Sequence, residues 1–111
     1  TRALLERGAE RYSIYCLPCH GAYGDGDGQV VARFGFPAPP SLHLERVRAA
    51  SDAHYWNVLT RGFGTMYPYA TALPPRDRWA VIGYVRALQL ARHADVSRYP
   101  ELRRELPEAP P

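Results

Sequence analysis

Lysine is absent from this sequence of 111 residues, and all 14 basic residues are arginines. With 11 acidic residues the net charge is only +3, and the arginines are spread along the chain. Because nucleic-acid-binding domains concentrate basic residues on one face, we expect no nucleic-acid partner. The longest apolar run, residues 79–85, is far shorter than the roughly 20 residues that cross a bilayer. We therefore expect no transmembrane segment in this chain.

No stretch alternates apolar and polar residues as a half-buried strand does. Hydrophobic residues make up 46% of a chain whose length suits one domain. Apolar residues instead recur at helical spacing, so we predict an all-α protein of about four short helices joined by long loops. The predicted helices cover residues 3–15, about 41–50, 52–61 and 75–92.

Capping residues set the predicted helix boundaries. Ser41 can cap the second helix and either Ser51 or Asp52 can cap the third, because side chains of this type accept hydrogen bonds from free N–H groups. Gly62 supplies a stop, and Pro75 suits the first turn of the last helix. That helix carries one apolar stripe, formed by Val81, Tyr84, Val85 and Leu88. Trp79 and Ile82 lie beside the stripe.

The domain is predicted to span residues 1–97, followed by a tail over 98–111. The tail contains four prolines and few residues to bury, which favours an extended chain. We expect it to become ordered only against a neighbouring subunit; the alternative is a floppy terminus.

Both cysteines belong to one motif, Cys16-Leu17-Pro18-Cys19-His20. This C-x-x-C-H pattern is the attachment signature of c-type haem. Two thiols three positions apart can add to the two vinyl groups of one porphyrin, and the following histidine can ligate the iron. The motif therefore predicts one covalent haem c, held by Cys16 and Cys19, with iron bound by His20.

Two alternatives to haem use the same cysteines. A redox-active dithiol of the thioredoxin type follows a strand in a βαβ unit, whereas a helix is predicted before Cys16. A structural zinc site needs four ligands, and adding His43 and His54 to the cysteines matches no common spacing. A thiol-redox or metal-binding module remains the alternative from a different functional class.

The second axial ligand is expected to be Met66, the only methionine. It lies in a loop punctuated by Gly62, Gly64 and Pro68, where the backbone can approach a flat cofactor. Met/His ligation raises the reduction potential of a haem. The alternative ligands are the remaining histidines, His43, His54 and His93.

With these motifs in view, residues 4 to about 90 resemble the class I cytochromes c, the small single-haem family. The resemblance rests on several features: Gly8 with Tyr12 in the first helix, Val81 and Tyr84 in the last, the glycine-rich segment 24–28, the segment Pro39-Pro40-Ser41-Leu42, and Gly64-Thr65-Met66. It implies the cytochrome c fold, and it implies that the carbonyl of Pro39 or Pro40 accepts a hydrogen bond from His20.

Segments 7–16, 36–41 and 62–67 also resemble the single-haem cytochrome subunit of bacterial alternative complex III. That resemblance implies a subunit of a membrane respiratory complex that oxidises quinol, working as an electron-transfer protein without catalysis of its own. The family also implies haem attachment outside the cytoplasm, in the periplasm or on the outer face of the inner membrane. A diffusible periplasmic carrier is the alternative.

The haem propionates need charge neutralisation or solvent. Candidate partners are Arg61, Tyr55, Trp56 and Tyr69. The small net charge of the chain stays small with haem added. Since long-range steering of a diffusing carrier depends on net charge, this favours a subunit that remains docked with other subunits.

Overall fold

Six helices and no strand form the part of the chain that the computed structural model describes, residues 1–93. In chain order they are α1 Arg2–Tyr15, α2 Leu17–His20, α3 Gln29–Phe34, α4 Glu45–Arg48, α5 Asp52–Arg61 and α6 Pro75–His93. The all-α prediction is confirmed. The four predicted helices correspond to α1, α4, α5 and α6. The predicted domain end at residue 97 and the tail 98–111 lie outside the described residues.

Local capping explains where the longer helices begin and end. The Thr1 hydroxyl accepts from the Leu4 N–H, and Ser51 accepts from His54 in the same way. Gly62, at φ 79°, ends α5 in a conformation that favours glycine. Of the two caps predicted for α5, Ser51 and Asp52, the structure uses Ser51, and Gly62 ends the helix as predicted.

The middle of the chain departs from prediction. Helix α4 is only four residues long, because Leu44 has extended backbone before it. Ser41 does not cap this helix; its hydroxyl accepts from the His43 N–H. Helix α3, missed from sequence, ends at Gly35 in the left-handed conformation, at φ 70°. The proline-rich residues 36–40 that follow are not helical.

Helices α1 and α6 make the main tertiary contact, and they cross at Gly8. A Cβ built on Gly8 would lie 2.1 Å from the Ala80 carbonyl oxygen and 3.0 Å from Tyr84 Cβ. One turn later, the buried Tyr12 packs on Tyr84, with ring centroids 5.2 Å apart. The predicted pairing of Gly8 and Tyr12 with the last helix is thus present, with Ala80 rather than Val81 nearest the glycine.

The core contains side chains from α1, α5, α6 and the loop before α6: Tyr12, Cys16, Leu59, Leu73, Val81, Ile82 and Val85. Trp79, predicted beside the apolar stripe, is 47% exposed. None of the helices within residues 1–93 has the length and apolar character needed to span a bilayer.

A two-pronged ion pair also joins α1 to α6. Arg7 donates from Nε to Asp77 Oδ1 at 3.0 Å and from its terminal nitrogen to Oδ2 at 3.1 Å. The hydrogen bonds from Arg7 hold the pKa of Asp77 below its ordinary value of 3.8. A carboxylate with a lowered native pKa stabilises the fold above its unfolded pKa, and this stabilisation is lost as pH falls through the native pKa.

We therefore expect Asp77→Asn to lower the melting temperature at neutral pH, because Arg7 loses its ionic partner. The difference from wild type should shrink as pH falls below about 4. Thermal melts followed by circular dichroism across this range would measure it. Glu6→Gln is the matched control, because Glu6 pairs with Arg2 on the exposed surface of α1, where ion pairs contribute little. A pH-independent difference for Asp77→Asn would contradict the assignment.

Candidate functional site

The C-x-x-C-H motif folds as one helical turn directly after α1. Cys16 ends α1 and begins α2, and its carbonyl accepts from the N–H of His20 at 2.8 Å. Pro18 lies in the first turn of α2, where no N–H is needed. Residues three and four apart share a helix face, so Cys16, Cys19 and His20 project from the same side of the chain.

The two thiols differ in their surroundings. Cys16 is 7% exposed, and Cys19 is half-buried. Burial raises the pKa of the Cys16 thiol to about 12, with a further contribution from Cys19. Because the thiolate is the nucleophile in disulfide exchange, a thiol protonated at neutral pH is poorly suited to redox catalysis.

The zinc alternative requires four clustered ligands. Within residues 1–93, no group of three or more His, Cys, Asp or Glu side chains is placed to hold a metal ion. The arrangement with His43 and His54 is therefore excluded for this part of the chain.

The glycine-rich loop after the motif packs directly on its backbone. The Gly26 N–H donates to the His20 carbonyl at 2.8 Å, and the Gly28 N–H donates to the Cys19 carbonyl at 3.1 Å. A Cβ on Gly28 would lie 2.1 Å from the Pro18 oxygen, and one on Gly26 would lie 2.5 Å from the Pro39 oxygen. The loop thus brings the proline-rich segment against the histidine turn.

His20 has the properties of a metal ligand. Burial lowers its pKa, which favours the neutral ring that binds metals. Its Nδ1 is buried and has no hydrogen-bond partner among residues 1–93. Among residues 1–93 this nitrogen does not bond to the carbonyl of Pro39 or Pro40, so that hydrogen bond stays a prediction for the haem-bound protein. Pro39 is half-buried and Pro40 is exposed.

Met66 closes a tight turn in the loop between α5 and α6. Its N–H donates to the Phe63 carbonyl at 2.9 Å, and the Phe63 N–H donates back at 3.2 Å. Gly64 enables the turn with φ 58°, and a Cβ on Gly62 would lie 2.6 Å from the Met66 oxygen. The half-buried Met66 side chain packs against the same core cluster that contains Cys16.

Comparison with known proteins identifies the family. The profile described as cytochrome C oxidase, cbb3-type, subunit III matches residues 3–85. The chain belongs to this cytochrome c family. A comparison with curated protein sequences gave no match.

A solved structure agrees with this assignment. The chain is similar to one from the Kuenenia stuttgartiensis reducing HAO-like protein complex, with 28% sequence identity and a TM-score of 0.67. The match covers 79% of this chain but only 44% of the other, so this cytochrome c domain spans less than half of that neighbour.

A cytochrome c domain implies haem binding and haem-based electron transfer, and the side chains present fit a c-type haem. Two thiols and an imidazole project from one helical turn, and among the described residues the buried Nδ1 of that imidazole has no partner. Phe63 and Tyr67, which flank Met66 in sequence, are 70% and 72% exposed, and Phe36 in the proline-rich segment is 55% exposed. Contact with a flat apolar cofactor would remove such surface from water.

The candidate propionate partners have different environments. Arg61 is exposed, and among the described residues its side chain forms no ion pair. The half-buried Trp56 stacks on Trp79, with centroids 4.6 Å apart, and the Arg78 guanidinium lies 4.4 Å from its ring. Within residues 1–93, Arg61 is thus the candidate whose charge is unpaired.

Both tyrosine candidates already use their hydroxyls. Tyr69 donates to the Tyr15 carbonyl at 3.3 Å. Tyr55 donates to the Val47 carbonyl and accepts from Gln89 at 3.0 Å. The hydroxyls of Tyr69 and Tyr55 therefore form hydrogen bonds that join helices and loops.

Sequence reasoning missed two buried polar residues on α6. Arg78 donates to the Leu73 carbonyl at 2.9 Å and to the Thr60 hydroxyl at 2.8 Å, which ties the Met66 loop to α5 and α6. Gln89 donates to the Leu42 carbonyl at 2.8 Å. Helical periodicity was the available signal, because positions 78 and 89 continue the buried stripe that includes Val85.

Proposed function

We propose that this protein transfers single electrons through one haem c, bound covalently by Cys16 and Cys19 and ligated axially by His20 and Met66. The folded C-x-x-C-H turn carries the proposal, because it places two thiols and a neutral imidazole on one side of the chain. Such a haem supplies a one-electron ferric/ferrous couple. With His20 and Met66 both holding the iron, no ligand position would be left for a substrate.

The chain's own groups then tune and hold the site. We propose that in the haem-bound protein the Pro39 carbonyl, which lies against Gly26, accepts from His20 Nδ1; this bond would fix the ring and increase its basicity. The turn from Phe63 to Met66 holds the thioether, and Arg78 anchors the end of that loop through the Leu73 carbonyl. Arg61 and Trp56 are proposed propionate partners, with Arg61 supplying the compensating charge.

We further propose that the protein works as a subunit of a membrane respiratory complex that oxidises quinol, on the periplasmic side of the inner membrane. Two observations support a docked subunit. The structural neighbour belongs to a protein complex, and the chain's net charge of +3 is small, which gives little long-range steering.

Mass spectrometry and purification from native membranes test these proposals separately. We expect the mass of the chain to rise by one haem under denaturing conditions, with both cysteines modified. Detergent extraction should co-purify the chain with integral membrane subunits and quinol oxidation activity. Recovery as a free protein in the periplasmic fraction would instead support the diffusible carrier, and a chain without added mass would contradict both.

Met66→Ala should remove the second axial ligand while leaving covalent haem in place. Axial ligands set haem potentials over a range of about 0.8 V, and we expect the potential to fall by at least about 0.1 V. The ferrous variant should also bind carbon monoxide, which the wild type excludes. Potentiometric titration and optical spectroscopy measure both effects.

Thr65→Ala is the matched control, because Thr65 is exposed in the same turn and offers no iron ligand. If Met66→Ala keeps the wild-type spectrum and potential, Met66 is not a ligand. The same measurements on His43→Ala, His54→Ala and His93→Ala would then identify the histidine that replaces it.

A further inference from the structure

His43, outside the C-x-x-C-H motif, is fixed as a metal ligand usually is. It is 9% exposed, and its Nε2 lies 2.6 Å from the Tyr23 carbonyl oxygen. Because a carbonyl only accepts, Nε2 carries a hydrogen, and in the neutral ring Nδ1 then carries the lone pair. A histidine that binds a metal through one ring nitrogen characteristically donates a hydrogen bond from the other to a carbonyl or carboxylate.

The lone pair of His43 has no partner in the part of the chain that the structure describes. Nδ1 is buried without a hydrogen bond among residues 1–93, which costs free energy unless something else occupies the position. The backbone of His43 is held on both sides: its N–H donates to Ser41 Oγ at 3.1 Å, and its carbonyl accepts from Arg48 Nε at 2.9 Å. These contacts therefore hold Nδ1 of His43, the acceptor, in a fixed position.

A second imidazole lies beside the first. His93, exposed at the end of α6, has its ring centroid 5.3 Å from that of His43, with an interplanar angle of 42°. Imidazole nitrogens bind zinc at about 2.0–2.1 Å, which places the centres of two rings on one tetrahedral ion about 5 Å apart. An adjacent open cavity of about 210 Å³ leaves room for water ligands; it is lined by Tyr23, His43, Leu88, Ala91 and Arg92.

We propose that His43 and His93 form a two-histidine binding site for a divalent transition metal ion such as Zn²⁺ or Cu²⁺, separate from the haem. Water would complete the coordination, since no third His, Cys, Asp or Glu joins the pair among the described residues. Asp25 near this site is paired with Arg92. The Arg48 and Arg92 guanidiniums repel a cation, so affinity should be modest and should favour Cu²⁺, the strongest binder of imidazole in the divalent series.

The bound ion would join two elements around the haem-binding turn. Tyr23, which orients His43, belongs to the loop that follows His20, and His93 ends α6. The Asp25–Arg92 ion pair already joins this loop to α6. A metal ion bound by both imidazoles would add a second connection. Because a ligand that binds only the folded state stabilises it, the ion should raise the melting temperature.

Isothermal titration of the oxidised holoprotein with Zn²⁺ tests the proposal, because zinc exchanges no electrons with the haem. We expect one saturable site in wild type and equal affinity in His54→Ala, whose histidine is exposed on α5. His93→Ala and His43→Ala should each weaken binding by at least about tenfold. Since His93 is exposed, its variant keeps the test valid if removal of the buried His43 unfolds the protein.

Electron paramagnetic resonance with Cu²⁺ supplies a second readout. The ferric wild type and His54→Ala should show a copper signal with nitrogen coupling from two imidazoles, reduced to one or none in His93→Ala. A lack of saturable Zn²⁺ binding in wild type would overturn the proposal and leave His43 and His93 as a packed pair only. Equal affinity in His93→Ala and His54→Ala would overturn it as well. Neither result would affect the proposed haem function.

Discussion

Gly8→Ala is expected to lower the free energy of unfolding by about 3 kcal/mol, at the upper end of the usual cost of overpacking. The new Cβ would lie 2.1 Å from the Ala80 carbonyl oxygen. That atom belongs to helix backbone and cannot rotate away, so α1 and α6 must separate where they cross. For a domain near 100 residues, the change corresponds to a fall in melting temperature of more than about 10 °C.

Gly83→Ala is the matched control on the facing helix. A Cβ at this position would meet only Leu5 Cδ2 at 3.9 Å, which is an ordinary contact. Because alanine favours the helical backbone over glycine by up to about 1 kcal/mol, this variant should melt at or above the wild-type temperature. Denaturant and thermal unfolding of both holoprotein variants measure the contrast. Equal free energies of unfolding for the two variants would show that α1 and α6 leave room for a methyl group at Gly8.

The double variant Cys16→Ala, Cys19→Ala should lose covalent haem completely and leave the chain largely unfolded. Cys16 belongs to the core cluster, and a bound porphyrin would bury further apolar surface around it. Helices as short as four to six residues, such as α2 and α3, are not stable without tertiary packing. Denaturing mass spectrometry measures attachment, and far-ultraviolet circular dichroism measures helix content.

The single variants Cys16→Ala and Cys19→Ala separate attachment from folding. Each keeps one thiol, so each should carry haem through one bond and retain most of the helix content. A double variant with native helicity would show that the protein folds without its cofactor. Haem that remains attached after denaturation of the double variant would exclude the assigned attachment residues.

Local sequence determined much of this protein. The C-x-x-C-H spacing specifies its chemistry without tertiary information, because one helical turn brings Cys16, Cys19 and His20 together. Helices α1, α5 and α6 were also predictable, since their signals are local: apolar periodicity, Ser51 as a cap and Gly62 as a stop. The single methionine in a glycine-rich loop made Met66 a candidate ligand before any contact was known.

Short elements between these helices were less predictable. Helices α2 and α3 have too few residues to show a period, and α4 starts late because Leu44 is extended rather than because of a capping side chain. Their positions depend on contacts with distant segments. Gly26, for example, donates to His20 and packs on the Pro39 oxygen.

Tertiary structure alone decided which polar residues are buried and paired. Arg78 and Gln89 lie on the buried stripe of α6 because groups distant in sequence accept their hydrogen bonds, the Thr60 hydroxyl from Arg78 and the Leu42 carbonyl from Gln89. His43 and His93 are 50 residues apart in the chain, yet their rings are neighbours. The physical reason is that periodicity and capping act within a few residues, whereas burial of a polar group depends on a partner brought to it by the fold.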